Sequence, residues 1–196
     1  MPFFSAITLL GKPALIEKAV GTPLHQNYAA YTYDAVGRPL SITDANSTRA
    51  EYQYDSQGRL FRWYFPSKET ANVASTTDFE EYGYDANGNR TSLRKRDSAV
   101  NPNQPVIITY QYDALNRLTV KTVPISAGQA AADPTGGTTG YTVVYGYDLR
   151  GLQLYARFGS ITGPGVTNAY DNAGRQTSSS TSMDGTSRSV SWLYDA

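Results

Sequence analysis

A Tyr-Asp dipeptide recurs seven times along this 196-residue chain, at Tyr33-Asp34, Tyr54-Asp55, Tyr84-Asp85, Tyr112-Asp113, Tyr147-Asp148, Tyr170-Asp171 and Tyr194-Asp195. In the first six copies a residue suited to a left-handed backbone follows three places after the aspartate: Gly37, Gly58, Gly88, Asn116, Gly151 and Gly174. Self-similarity of this kind marks a repeat architecture, in which each copy is one supersecondary unit that cannot bury its apolar face alone. The number and stacking of units therefore constrain the fold more than the chain length does.

Each unit can be read physically. The first five copies follow the pattern Tyr-x-Tyr-Asp-x-x-Gly/Asn, with Tyr31, Tyr52, Tyr82, Tyr110 and Tyr145 at the first aromatic position; Asn168 and Trp192 stand there in the last two. Residues two apart on a strand share a face, so each unit presents a pair of rings to one side of a sheet. An aspartate accepts hydrogen bonds from backbone N–H groups just ahead of it, and a glycine three places on takes a positive φ without a Cβ clash. Together they predict a three-residue hairpin loop, a type I turn closed by a left-handed residue in a G1 bulge. Asn116 is the one non-glycine at that place, and asparagine tolerates the left-handed region better than most residues.

An outgoing strand follows the turn, and it often opens on Arg: Arg38, Arg59, Arg117 and Arg175, with Asn89 and Leu152 as departures. The recurrence of one position favours packing over a tyrosine ring or pairing with the aspartate, rather than a charge that merely keeps an edge soluble. Successive Tyr-Asp pairs lie 21, 30, 28, 35, 23 and 24 residues apart, so the shortest interval is the bare unit and the longer ones carry loops. The expected loops are Ser67 to Asp78, Arg94 to Pro105 and Ala127 to Gly140. A helix is considered only for Ala14 to Val20, within an N-terminal flank of residues 1–27; the array is expected over 28–196. Ending at Tyr194-Asp195-Ala196, inside a seventh motif, the sequence is expected to be part of a longer array.

The segment Tyr52-Gln53-Tyr54-Asp55-Ser56-Gln57-Gly58-Arg59-Leu60 resembles the consensus of the RHS, or YD, repeat, and Tyr31 to Leu40 and Tyr110 to Leu118 resemble it nearly as well. The resemblance covers roughly residues 28 to 196. It implies a fold in which repeated hairpins build a curved, spiralling β-sheet that winds into a hollow shell. The family includes bacterial Rhs polymorphic toxins, components of insecticidal toxin complexes, wall-associated proteins and the animal teneurins. It further implies a secreted or cell-surface parent whose shell encloses a C-terminal toxin domain or supports adhesion, with neighbouring repeats as the immediate partners. Carbohydrate binding has also been proposed for such repeats, and the tyrosine faces offer rings that could stack on sugars. The competing assignment of those rings is a cross-strand packing ladder.

Composition narrows the chemistry. Lys plus Arg equals Asp plus Glu at 17 each, and the one basic cluster, Arg94-Lys95-Arg96, is followed by Asp97. That balance gives no reason to expect nucleic acid as a partner. No apolar run approaches the length of a spanning helix, and the apolar start Pro2 to Gly11 lacks the basic residues of a signal peptide. Cysteine is absent and His25 is the only histidine, so thiolate sites and histidine clusters are excluded. Glu80 and Glu81 are adjacent and would point to opposite faces of a strand. Asp133-Pro134-Thr135-Gly136 is similar to the Asp-Pro-x-Gly form of a self-cleaving site in related toxins, but it sits inside an insertion and reads as a turn. Gly136 to Gly140 lacks the lysine of a phosphate-cradling loop, and Ser178 to Ser182 reads as an exposed strand or loop. The sequence thus predicts an all-β structural array with no catalytic, cofactor or metal residues, whose alternative role is a carbohydrate-binding or adhesive surface module.

Overall fold

The computed structural model describes residues 3–96, 106–124, 141–183 and 185–195. Among them lie fifteen strands and no helix. The first strands are β1 (Phe3–Ile7), β2 (Pro13–Lys18), β3 (Gln26–Tyr33), β4 (Pro39–Asp44), β5 (Arg49–Tyr54), β6 (Leu60–Pro66) and β7 (Ala74–Tyr84). They are followed by β8 (Arg90–Arg94), β9 (Ile107–Tyr112), β10 (Leu118–Val123), β11 (Tyr141–Tyr147), β12 (Gln153–Phe158), β13 (Gly165–Tyr170), β14 (Gln176–Met183) and β15 (Thr186–Ser191). All belong to one open antiparallel sheet whose strand order is the chain order. The chain divides into two compact units, one dominated by Met1–Tyr82 and the other by Gly83–Leu93 with Val106–Ala196.

The same irregularity closes the hairpins that begin at Tyr33, Tyr54, Tyr112, Tyr147 and Tyr170. In the first unit Tyr31 faces Ile42 and Tyr52 faces Trp63, and the register then shifts so that Tyr33 faces Pro39 and Tyr54 faces Leu60. In the second unit the same shift brings Tyr112 to Leu118, Tyr147 to Gln153 and Tyr170 to Gln176. One extra residue per turn is the mark of a bulge, and it re-aims the tyrosine toward the preceding hairpin. Among the described residues only Ala29, Ser41, Ala74, Tyr82 and Gly165 are buried, and no large side chain is wholly enclosed. Most apolar side chains are half-covered by a neighbouring strand, so each hairpin's stability is held in common with the next.

Two expectations are corrected. The segment considered helical, Ala14 to Val20, supplies strand β2, which pairs with β1 through Leu15↔Ala6 and with β3 through Leu15↔Ala30. Strand pairing on both sides overrides a short segment's helical propensity. The loop expected over Ser67 to Asp78 ends at Val73, because β7 begins at Ala74 and pairs it with Pro66.

The β1–β2 hairpin also contains a turn that lacks the Tyr-Asp signature. Thr8 N–H donates to Lys12 O at 2.7 Å, Gly11 N–H donates to Thr8 O at 2.9 Å, and Gly11 has φ +70°. Lys12 N–H donates to Thr8 Oγ1 at 3.2 Å, and the register shifts to bring Ile7 opposite Pro13. Thr8 thus takes the place of the aspartate and Ile7 that of the tyrosine.

Candidate functional site

The feature that recurs along the sheet is the turn, so the candidate site is built from it. In the turn after Tyr54, Asp55 N–H donates to Arg59 O at 2.9 Å and Gly58 N–H donates to Asp55 O at 3.0 Å. The carboxylate closes the loop: Oδ1 accepts the backbone N–H groups of Gln57 and Arg59, each at 2.9 Å, while Oδ2 accepts Arg59 Nε at 2.7 Å. Gly58 sits at φ +83°. The backbone pair of hydrogen bonds repeats at Asp34/Gly37, Asp85/Gly88, Asp113/Asn116, Asp148/Gly151 and Asp171/Gly174, with φ between +61° at Asn116 and +89° at Gly88.

The arginine that follows the left-handed turn residue pairs with its aspartate in three further turns, through Arg38 at 2.6 Å and through Arg117 and Arg175 at 2.7 Å. Where the sequence departs, other groups supply the donor. Asn89 Nδ2 reaches Asp85 Oδ2 at 2.9 Å, and Arg150, inside the turn, reaches Asp148 Oδ2 at 2.8 Å where Leu152 holds the usual position. These bonds set the electrostatics. The Arg117 backbone N–H, against an opposing pull from partial burial, and then the Arg117 guanidinium hold the Asp113 carboxyl below its ordinary value. The Arg175 side chain does the same for Asp171, and the Asn89 amide for Asp85. At Asp34, Asp55 and Asp148 partial burial pulls upward and the same hydrogen bonds outweigh it.

Two contacts link one turn to the next. The Tyr-Asp tyrosine donates its hydroxyl to a carbonyl at the start of the preceding outgoing strand: Tyr33 to Pro13, Tyr54 to Pro39, Tyr112 to Arg90, Tyr147 to Leu118, Tyr170 to Gln153 and Tyr194 to Gln176, all at 2.8–3.0 Å. Burial pushes the Tyr54 and Tyr147 phenols above their ordinary value, so they stay protonated and donate. The aspartate-held guanidinium then lies over the next tyrosine ring: Arg38 over Tyr54 at 4.6 Å, Arg117 over Tyr147 at 4.8 Å and Arg175 over Tyr194 at 4.7 Å. Arg117 Nη1 also donates to Asp148 O at 2.9 Å, and Arg150 Nη1 to Asp171 O at 2.8 Å. Within each unit the turns form a ladder in which aspartate orients arginine, and arginine grips the neighbouring turn.

Other candidates from the sequence are dispersed. His25 Nε2 lies 2.8 Å from Glu17 Oε1 in an exposed hydrogen bond. Glu80 accepts from the Tyr82 hydroxyl at 2.7 Å, whereas Glu81 pairs with Arg62, so the two carboxylates serve different neighbours. In the basic cluster, Arg94 donates to Phe79 O at 2.7 Å, Lys95 lies 3.6 Å from Glu80, and Arg96 pairs with Asp78. Ser178 to Ser182 lies within β14. Asp97, the Asp133-Pro134-Thr135-Gly136 turn and the Gly136 to Gly140 run lie outside the described residues. Among the described residues no group of three or more His, Cys, Asp or Glu side chains could hold a metal. A shallow groove of about 390 Å³ in the first unit is floored by Ala30, Ser41 and Thr43 and rimmed by Asp44, Arg49 and Asn72, a set with no paired acid and base.

Residues 33–60 match the family model described as RHS Repeat, a span holding two complete Tyr-Asp turns. The chain thus carries an RHS repeat over those residues. Its fold resembles the crystal structure of TcdB2-TccC3, with a TM-score of 0.64 at 18% identity over 90% of this chain and 9% of that one. The Photorhabdus luminescens Tc holotoxin pore carrying the TccC3 D651A substitution matches with a TM-score of 0.59 at 17% identity, over 95% of this chain and 11% of that one. The TcdB2-TccC3-Cdc42 crystal structure gives 0.60 at 17% identity, over 95% and 12%. The chain spans about a tenth of the length of the toxin-complex chains it matches. No curated protein matches it in sequence.

Proposed function

We propose that this RHS-repeat chain is a wall segment: a stretch of β-sheet shell, in a secreted or cell-surface parent protein, that encloses or presents a C-terminal toxin domain encoded elsewhere in that parent. The observation that carries the reading is the turn-to-turn ladder. Each Tyr-Asp turn is completed by a tyrosine or arginine of an adjacent one, which suits a repeating wall and leaves the aspartates engaged in backbone geometry. Extensive likeness to chains of toxin complexes supports the same reading. No side chain of the wall needs to be reactive for it to serve as a barrier.

The test is limited proteolysis of the parent chain. With the wall intact, the C-terminal domain should resist a protease at concentrations that digest the same domain expressed alone. Deleting two hairpins of the array should expose it. A C-terminal domain equally sensitive with and without those hairpins would sink the encapsulation reading, and selective capture on a glycan array would shift the assignment to a surface-binding module.

A further inference from the structure

Asn87-Gly88 is the one Asn-Gly dipeptide in the sequence, and it occupies the middle of the turn that follows Tyr84-Asp85. Both residues are exposed, and Gly88 has φ +89°. The pair is reactive for a simple reason: glycine puts no side chain in the way of its own backbone nitrogen. The Gly88 nitrogen can bond to Asn87 Cγ, after which the Cγ–Nδ2 bond breaks and the amide leaves as ammonia with the proton from the Gly88 nitrogen. One water then opens the succinimide at either carbonyl, giving aspartate or isoaspartate. Water is the only co-reactant.

The fold ties down both reacting groups. Gly88 N–H donates to Asp85 O at 3.1 Å, and Asn87 Nδ2 donates to Asn116 Oδ1, in the next turn, at 3.0 Å. The same Asn116 oxygen accepts Asn89 Nδ2 at 2.7 Å, which fixes its position. Crowding is not the restraint, because a Cβ built at Gly88 would meet nothing within 4 Å. Asn116 holds the left-handed place at φ +61° where the other Tyr-Asp turns use glycine, so the departure from glycine supplies the acceptor.

We propose that Asn87 is a self-modifying deamidation site, latched by Asn116 in the folded array and released when the turn opens. The product marks the opening irreversibly. Aspartate at this place puts a second carboxylate two residues from Asp85 and removes the donor to Asn116. Isoaspartate inserts a methylene into the main chain of a three-residue loop, which cannot then keep its register.

The experiment follows Asn87 by peptide mass mapping in the full 196-residue chain, held at mildly alkaline pH in native buffer and in urea. Conversion should be slow in native buffer and fast in urea. Asn116→Gly keeps a residue at ease with positive φ but deletes the acceptor. It should raise the native rate between about twofold and tenfold, the factor expected for one net hydrogen bond. Asn116→Asp keeps an acceptor oxygen and should stay near the wild-type rate. A wild-type rate in native buffer equal to that in urea would overturn the proposal whatever the variants do, and so would equal native rates for Asn116→Gly and wild type.

Discussion

The two edges of the hairpin array use similar loops to different ends. At the Tyr-Asp edge every described turn has the same backbone hydrogen bonds, and contacts run from turn to turn within each unit. At the opposite edge the connections vary: a tight loop from Asp44 to Thr48, a longer one closed by Ser67 N–H donating to Val73 O, and another closed by Phe158 N–H donating to Pro164 O. The Asp44 loop is the instructive member. Its carboxylate accepts the Asn46 and Thr48 N–H groups at 2.9 Å, and Ser47 takes φ +60°. Local geometry there copies the Tyr-Asp turn, but Thr43 precedes the aspartate and Thr48 stands in the arginine place. The turn alone therefore does not make a ladder. The flanking tyrosine and arginine do, by reaching the neighbouring turn; the Asp44 loop instead meets the next connection through Asn72, whose N–H donates to Ser47 O at 2.6 Å.

Acid should have the largest effect, since it strikes every carboxylate turn together. Folded-state values are lowered at Asp34, Asp44, Asp55, Asp85, Asp113, Asp148 and Asp171. Their contribution is thus fully present above the unfolded aspartate value of about 3.9 and is lost as pH falls from there through the folded values. Urea midpoints measured down an acid series should stay level to that point and then drop; a level line throughout would contradict the carboxylate-closed turn.

Next in size is Gly58→Val, which places a β-branched residue at φ +83° and should cost on the order of 1–2 kcal/mol. Equal urea midpoints for variant and wild type would refute the turn. By contrast, doubling the Ser67–Val73 connection with glycine and serine should cost only about 0.6 kcal/mol, the increment for loop closure. A far-edge insertion as damaging as Gly58→Val would erase the difference between the edges.

A smaller loss, about 1 kcal/mol, is expected for Tyr147→Phe, which removes the hydroxyl that donates to Leu118 O at 2.9 Å. Hydrogen exchange should report faster opening of the adjacent hairpin too; a change confined to Tyr147's own hairpin would argue against shared stability. Smallest is Arg117→Lys, at about 0.5 kcal/mol, because an ammonium cannot hold Asp113 and the Asp148 carbonyl in the guanidinium's fork. Its effect should shrink in high salt, and salt independence would remove the ion pair from the account.

The strands and turns were legible because their cause is local. Aspartate, a left-handed residue three places later and paired tyrosines need only their own backbone to specify a bulged hairpin. The Thr8–Gly11 turn was missed because Thr8 and Ile7 carry the geometry without the letters; Gly11 followed by Lys12-Pro13 was the available signal. The strand at Pro13–Lys18 was misread because its conformation is set by partners on both sides. At the candidate site the recurrence of arginine indicated packing, but its reach to the following turn was not legible.

From its sequence alone, this protein was bound to be a stack of short antiparallel hairpins reversing at fixed intervals, since φ at each reversal is dictated by which residue lacks or tolerates a Cβ. Only the tertiary structure decided what each reversal touches. Tyr147 finds Leu118 and Asn87 finds Asn116 across 29 residues of chain, and those partners depend on how neighbouring hairpins lie side by side. Backbone torsion is a property of single residues, whereas a hydrogen bond between turns exists only once the sheet has set their spacing.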